Sequence, residues 1–122
     1  GKIPREADLQ ALFSRIGLRP EHHVVAYDDE GGGWAGRLIW TLDAIGHHNY
    51  SYLNGGLHAW LAGGHPTENG EHDVPSSDIS IHIDSTPIAE IEGFINLLGN
   101  SQLAIWDARS AEEYRLAASA TM

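Results

Sequence analysis

An α/β fold with helices on both faces of a largely parallel sheet, an α/β/α arrangement, is what this sequence predicts. Three observations point to it. Short β-prone runs alternate with segments of helical period along the chain. The apolar run Val24–Tyr27 passes through the tight loop Asp28–Gly33 straight into a helix-period segment. A second β-prone run, Tyr50–Leu53, then closes on Asn54-Gly55-Gly56, completing a βαβ unit.

Taken in order, the first element is a helix over Ala7–Ile16, with Leu9, Leu12, Phe13 and Ile16 on one face, Asp8 early and Arg15 late, as the helix dipole prefers. Gly17 reads as its C-cap and Pro20 blocks continuation. His22 and His23 lead into strand Val24–Tyr27, pointing to opposite sides of an extended chain, which suits an edge or loop role. The next helix, Trp34–Ile45, carries Ala35, Leu38, Leu42 and Ile45 on one stripe, widened by Trp34 and Ile39. Gly46–Asn49 returns the chain to strand Tyr50–Leu53, and Gly55-Gly56 permits a backbone other residues adopt only at a cost. A short helix, Leu57–Ala62, holds Trp60 and ends at Gly63-Gly64.

Periodicity then lapses over a polar, turn-rich stretch whose centre, 67–78, reads as a linker. Ile79, Ile81 and Ile83 alternate with Ser80 and His82, the period of a surface strand. Thr86-Pro87 reads as an N-cap and first helical residue ahead of Ile88, Ile91, Ile95 and Leu98 on one helix face, stopped by Gly99-Asn100. Leu103–Trp106 reads as an apolar strand ending in Asp107-Ala108-Arg109. Ser110 to Glu113 is a capping box opening a last helix that loses definition in the small-residue tail Ala117–Met122. The tryptophans Trp34, Trp40, Trp60 and Trp106 lie in or beside regular elements and are expected to pack in the core.

Composition narrows the function. With 122 residues, 42% of them hydrophobic and 20% charged, the chain suits a small globular domain. Seventeen acidic against seven basic side chains give a net charge of -10. The basic residues are scattered, so nucleic acid is not an expected partner. There is no cysteine, which removes disulfides, zinc-thiolate sites and thiol chemistry from this chain. No apolar run approaches the roughly 18 residues that span a bilayer, and a soluble, cytoplasmic setting is expected, without a cofactor.

The junction Asp28, Asp29, Glu30, Gly31, Gly32, Gly33 is the candidate site, because loop and first-turn amides converge there on a point that suits an anion or a reactive side chain. The three acids are also a weak divalent-cation motif, lacking further oxygen ligands at set spacing. A phosphatase built on Asp-x-Asp is disfavoured by Glu30 in third place and by the lack of a phosphate-binding lysine. Arg37, in the first turn of the following helix, stands within reach of Asp28, Asp29 or a neighbouring domain. The eight histidines form no His-x-x-x-His pair, and no serine lies in a Gly-x-Ser-x-Gly elbow.

The run VVAYDDEGGGWAGRLIWTLDAIGHHNYSYLNGGLHAWLAGGHP resembles the second half of the non-catalytic N-terminal domain of tandem rhodaneses, the two-domain thiosulfate sulfurtransferases, and LAIWDARSAEEYR resembles the start of the catalytic domain that follows. The resemblance implies an incomplete rhodanese-like three-layer α/β/α fold, with residues 1–66 closing one domain, 67–78 linking, and 79–122 opening the next. It implies transfer of sulfane sulfur from an anionic donor such as thiosulfate to cyanide or a thiol, by way of a cysteine persulfide. In that pattern Asp28 occupies the nucleophile's position, so this chain is expected to be inactive by itself. Asp107 and Arg109 match a family pair, with structural ion pairing and a place near the active-site mouth both open. The chain reads as a fragment whose pieces pack as one unit, with Leu103–Trp106 beside Val24–Tyr27, or pair with another copy. The alternative is a non-catalytic rhodanese-like binding or regulatory module.

Overall fold

The structure, a computed structural model, describes residues 2–119. The chain divides into two units, Gly1–Ala89 and Glu90–Met122.

The first unit runs α1 (Glu6–Arg15), β1 (Val24–Ala26), α2 (Gly33–Ala44), β2 (Tyr50–Tyr52) and α3 (Gly56–Ala62). β1 and β2 pair in parallel with Val24 opposite Tyr50, Val25 opposite Ser51 and Ala26 opposite Tyr52. His23 ties the strand entries together, its ring nitrogens 2.8 Å from Asn49 Oδ1 and 2.8 Å from Ser51 Oγ. Side chains alternate across the sheet. Val24 and Tyr50 pack on the core formed by Leu9, Phe13, Leu18, Leu42, Ile79 and Ile81, whereas Val25, Tyr27 and Leu53 line a groove with α3. The core stripe of α1 is narrower than its periodicity predicts: Leu9 and Phe13 are buried, while Leu12 and Ile16 are exposed.

Both long helices end in the same way. The amides of Gly17 and Leu18 return to the carbonyls of Ser14 and Phe13, and those of Gly46 and His47 return to Asp43 and Leu42. The glycine takes the left-handed conformation in each, at φ 73° and 74°. These are Schellman motifs, which consume carbonyls that the last turn otherwise leaves unpaired.

The strand expected over Ile79–Ile83 does not form. Its amides are taken by the side of α1 instead of by a neighbouring strand: Ile81 N–H donates to Gln10 Oε1 at 3.3 Å and Ile83 N–H to Glu6 Oε1 at 2.7 Å. Ser77 and Asp84 anchor the two ends on the Ser14 and Ala44 carbonyls. The alternation still reports burial, since Ile79 and Ile81 face the core and Ser80 and His82 face solvent. Thr86-Pro87 lies in a turn, not a helix start, because Asp84 Oδ1 accepts both the Thr86 amide and hydroxyl.

The tryptophans are a second correction. Trp34 and Trp60 lie at the surface and Trp40 is half-buried. Each directs its indole N–H to a loop: Trp34 to Glu30 Oε2, Trp40 to the Pro87 carbonyl and Trp60 to the Pro66 carbonyl, at 2.7, 3.1 and 2.9 Å. An indole is amphipathic enough to pin loops from a half-covered position.

The second unit holds α4 (Ile91–Leu97) and α5 (Ala111–Ser119). α4 begins later than the Thr86-Pro87 signal predicts, with Glu90 at its N-cap. Leu103–Trp106 forms no strand, and Trp106 is 94% exposed. The capping box of α5 is as expected: Glu113 N–H donates to Ser110 Oγ and Ser110 N–H to Glu113 Oε2, at 3.2 and 2.8 Å. α5 continues to Ser119, and the rest of the tail expected to lose definition lies outside the described residues.

Candidate functional site

The loop Asp28–Gly33 leaves β1 and enters α2 through two left-handed glycines, Gly31 at φ 84° and Gly32 at φ 102°. That pair helps turn amides of the loop and the first helical turn inward, the geometry of a small anion nest at a helix start. The anion it holds is the chain's own. Asp28 Oδ1 accepts the amides of Gly32 at 2.8 Å and Glu30 at 3.2 Å, and Asp28 Oδ2 accepts the amide of Ala35 at 2.9 Å. The Ala35 amide above all, with those of Gly32, Glu30 and Trp34, holds the Asp28 carboxyl below the ordinary aspartate range, against an opposing effect of burial.

The turn after β2 straps this loop from the other side. The carbonyl of Asp28 accepts the Leu57 amide at 2.9 Å, and the carbonyl of Asp29 lies 2.9 Å from His58 Nε2. A carbonyl only accepts, so Nε2 is the protonated nitrogen of His58. Gly56, at φ 56°, sits where a Cβ would collide with the Asp28 carbonyl, and a Cβ on Gly32 would lie 3.0 Å from the Tyr52 hydroxyl. His58 and Tyr52 thus belong to the loop's surroundings although nothing in their sequence context singles them out. The Asn-Gly-Gly turn between them marks the close backbone approach at Gly56, but neither side chain.

The remaining candidates have partners of their own. Arg37 donates to the Lys2 carbonyl at 2.9 Å and stacks over the Trp40 ring at 4.5 Å. Asp107 and Arg109 form a fork-on-fork pair with contacts of 2.6 to 3.1 Å, and Arg109 also lies over Tyr114. The Arg109 guanidinium and amide push Asp107 down to about 2. Beside β1 and α3 opens a groove of about 670 Å³ walled by Val25, Tyr27, Leu53, Leu57, Trp60 and Leu61. No helix among the described residues is long and apolar enough to cross a membrane.

A parallel βαβ unit with a glycine-built amide nest at its first junction, flanked by helices, defines a class of α/β proteins that work at the carboxyl ends of their strands. Residues 2–63 match the rhodanese-like domain family, and the chain belongs to it. It is 48% identical over 114 residues to a thiosulfate sulfurtransferase of Pseudomonas aeruginosa, covering 93% of this chain and 42% of that protein. It is 49% identical over 115 residues to a thiosulfate sulfurtransferase of Azotobacter vinelandii, with 94% and 42% covered. A probable 3-mercaptopyruvate sulfurtransferase of Pseudomonas aeruginosa is 34% identical, over 93% of this chain and 40% of its own length. The chain therefore spans about two-fifths of the length of these relatives. In fold it superposes on the crystal structure of SseA from Escherichia coli with a TM-score of 0.83 at 22% identity, covering 92% of this chain and 43% of SseA. The fold is the rhodanese fold, here with an open two-stranded parallel sheet.

Proposed function

We propose that the protein represented by this chain is a thiosulfate sulfurtransferase, in which these residues supply structural support and not the nucleophile. Sulfane-sulfur transfer would proceed elsewhere in the whole protein: a cysteine thiolate takes the outer sulfur of thiosulfate, releasing sulfite, and the persulfide passes that sulfur to cyanide or a thiol. The names of the relatives support the reaction class. The observation that carries the inactive role is Asp28, whose carboxylate already engages the amides of Glu30, Gly32 and Ala35. A carboxylate cannot form a persulfide, and its charge opposes a second anion in the same nest. Incubating this chain with thiosulfate and cyanide is expected to yield no thiocyanate above the uncatalysed rate; sustained turnover would overturn the assignment.

Residues 1–66 are assigned in this reading to the second half of a non-catalytic domain, 67–78 to the connection and 79–122 to the opening of the next domain. The setting is cytoplasmic. A second reading, a non-catalytic binding module, is favoured by the apolar groove beside α3, whose size is that of small-molecule sites. Exposed Val25, Tyr27 and Leu61 on and near that groove also support self-association. Sedimentation across a concentration series is expected to show a dimer that Tyr27→Lys disperses, and a monomer at every concentration would exclude it.

A further inference from the structure

The end of α2 repeats the end of α1 with one change. Where α1 seats Leu18 in the core, at 6% exposure, the matching position of α2 holds His47 at 8%. An apolar residue commonly fills this place in a Schellman motif. Here an imidazole fills it, and its Nε2 is buried without a hydrogen-bond partner. His47 also borders a cavity of about 220 Å³, with Ile45, His48, Ile79 and Ile81 among its walls.

A proton on the second ring nitrogen makes both nitrogens N–H donors and spreads a full positive charge over the ring. Nε2 would then be a charged donor with no acceptor. The negative end of a helix usually welcomes such a charge. At α2 the last carbonyls are engaged: Thr41 by the Ile45 amide, Leu42 by His47, Asp43 by Gly46, and Ala44 by Asp84 at 2.7 Å. The neighbouring titratable groups are also committed. His48, which shares the cavity wall, has Nδ1 3.2 Å from Asp43 Oδ1, and that oxygen accepts the Tyr50 hydroxyl at 2.8 Å. On the segment from Ile79 to Asp84, Asp84 accepts from Thr86, and His82 pairs with Glu6 of α1 at 3.0 Å.

We propose that His47 is an acid-released latch. Neutral, it stays seated and closes the end of α2; protonated, it leaves the core, opens that turn, and frees the strap Ile79–Asp84 from its anchor on the Ala44 carbonyl. The segment it would loosen carries Ile79 and Ile81 of the first unit's core.

Amide exchange by NMR on the whole chain tests this directly, at pH values on either side of the ordinary imidazole range near 6.5. After correction for intrinsic exchange, protection of the His47 and Asp84 amides is expected to fall as the pH drops, approaching about tenfold per pH unit once one proton is taken up. His47→Leu is expected to abolish the fall, and His47→Gln, neutral at every pH, serves if the leucine variant does not fold. His48→Gln should leave it in place. Protonation of the His47 ring with the Asp84 amide still fully protected in the parent chain would overturn the proposal, as would an unchanged fall in either His47 variant.

Discussion

Asp28 Oδ2 accepts the amide of Ala35 at 2.9 Å, seven residues ahead and inside the first turn of α2. One side chain at the end of a strand therefore caps the helix that follows, across a loop that reaches it only through two left-handed glycines. The charge at position 28 is part of how the junction folds.

Asp28 has its folded pKa held below that of the unfolded chain. The folded form binds the proton less readily, so its contribution to stability is present above the ordinary aspartate value of about 3.9 and is lost as pH falls through the lower folded value. Asp28→Asn should remove that acid-side component and lower the thermal midpoint at neutral pH. Thermal scans of both proteins across the acid range measure it, and parallel profiles would contradict the capping role.

Gly56→Ala tests the strap between the two loops. The left-handed backbone costs an alanine roughly 1–2 kcal/mol, and the new Cβ would collide with the Asp28 carbonyl. Urea unfolding should show a loss larger than that conformational cost. The same substitution at Gly36, with open space around its Cβ position and a place inside α2, should instead stabilise by about 0.5–1 kcal/mol.

Ile81 and Ile91 are separated by their surroundings and not by their chemistry. Ile81 is buried against α1 and α2, whereas Ile91 is 74% exposed. Ile81→Ala is expected to cost about 2–5 kcal/mol, and Ile91→Ala to stay within about 0.5 kcal/mol. Equal effects in urea titrations would mean that the strap does not belong to the core.

Asp107 is pushed down to about 2 by Arg109. Carboxyl-carbon NMR titration should find it there, and Arg109→Ala should return it toward the ordinary range. Both groups are solvent-exposed, so added salt should weaken the shift in the parent chain.

Much of the first unit was legible because its signals are local. The helix over Ala7–Ile16 and the βαβ unit from Val24 to Leu53 emerge with ends shifted by a residue or so, since caps, glycines and period are written into adjacent residues. The strands expected at Ile79–Ile83 and Leu103–Trp106 failed for a non-local reason: a strand needs a partner, and alternation reports only which side is buried. At the site, Asp28 and its glycines could be read directly. The supporting contacts from His58 and Tyr52 could not, because they arise from folding segments twenty or more residues apart against each other.

The nest around Asp28 is drawn almost wholly by main-chain hydrogens, held in direction by glycine torsions and a helix start. Glycine torsions aim the amides, and the carboxylate at position 28 gathers them. A scaffold of this kind keeps its donors on the backbone, so what it holds is decided by the one side chain at its centre.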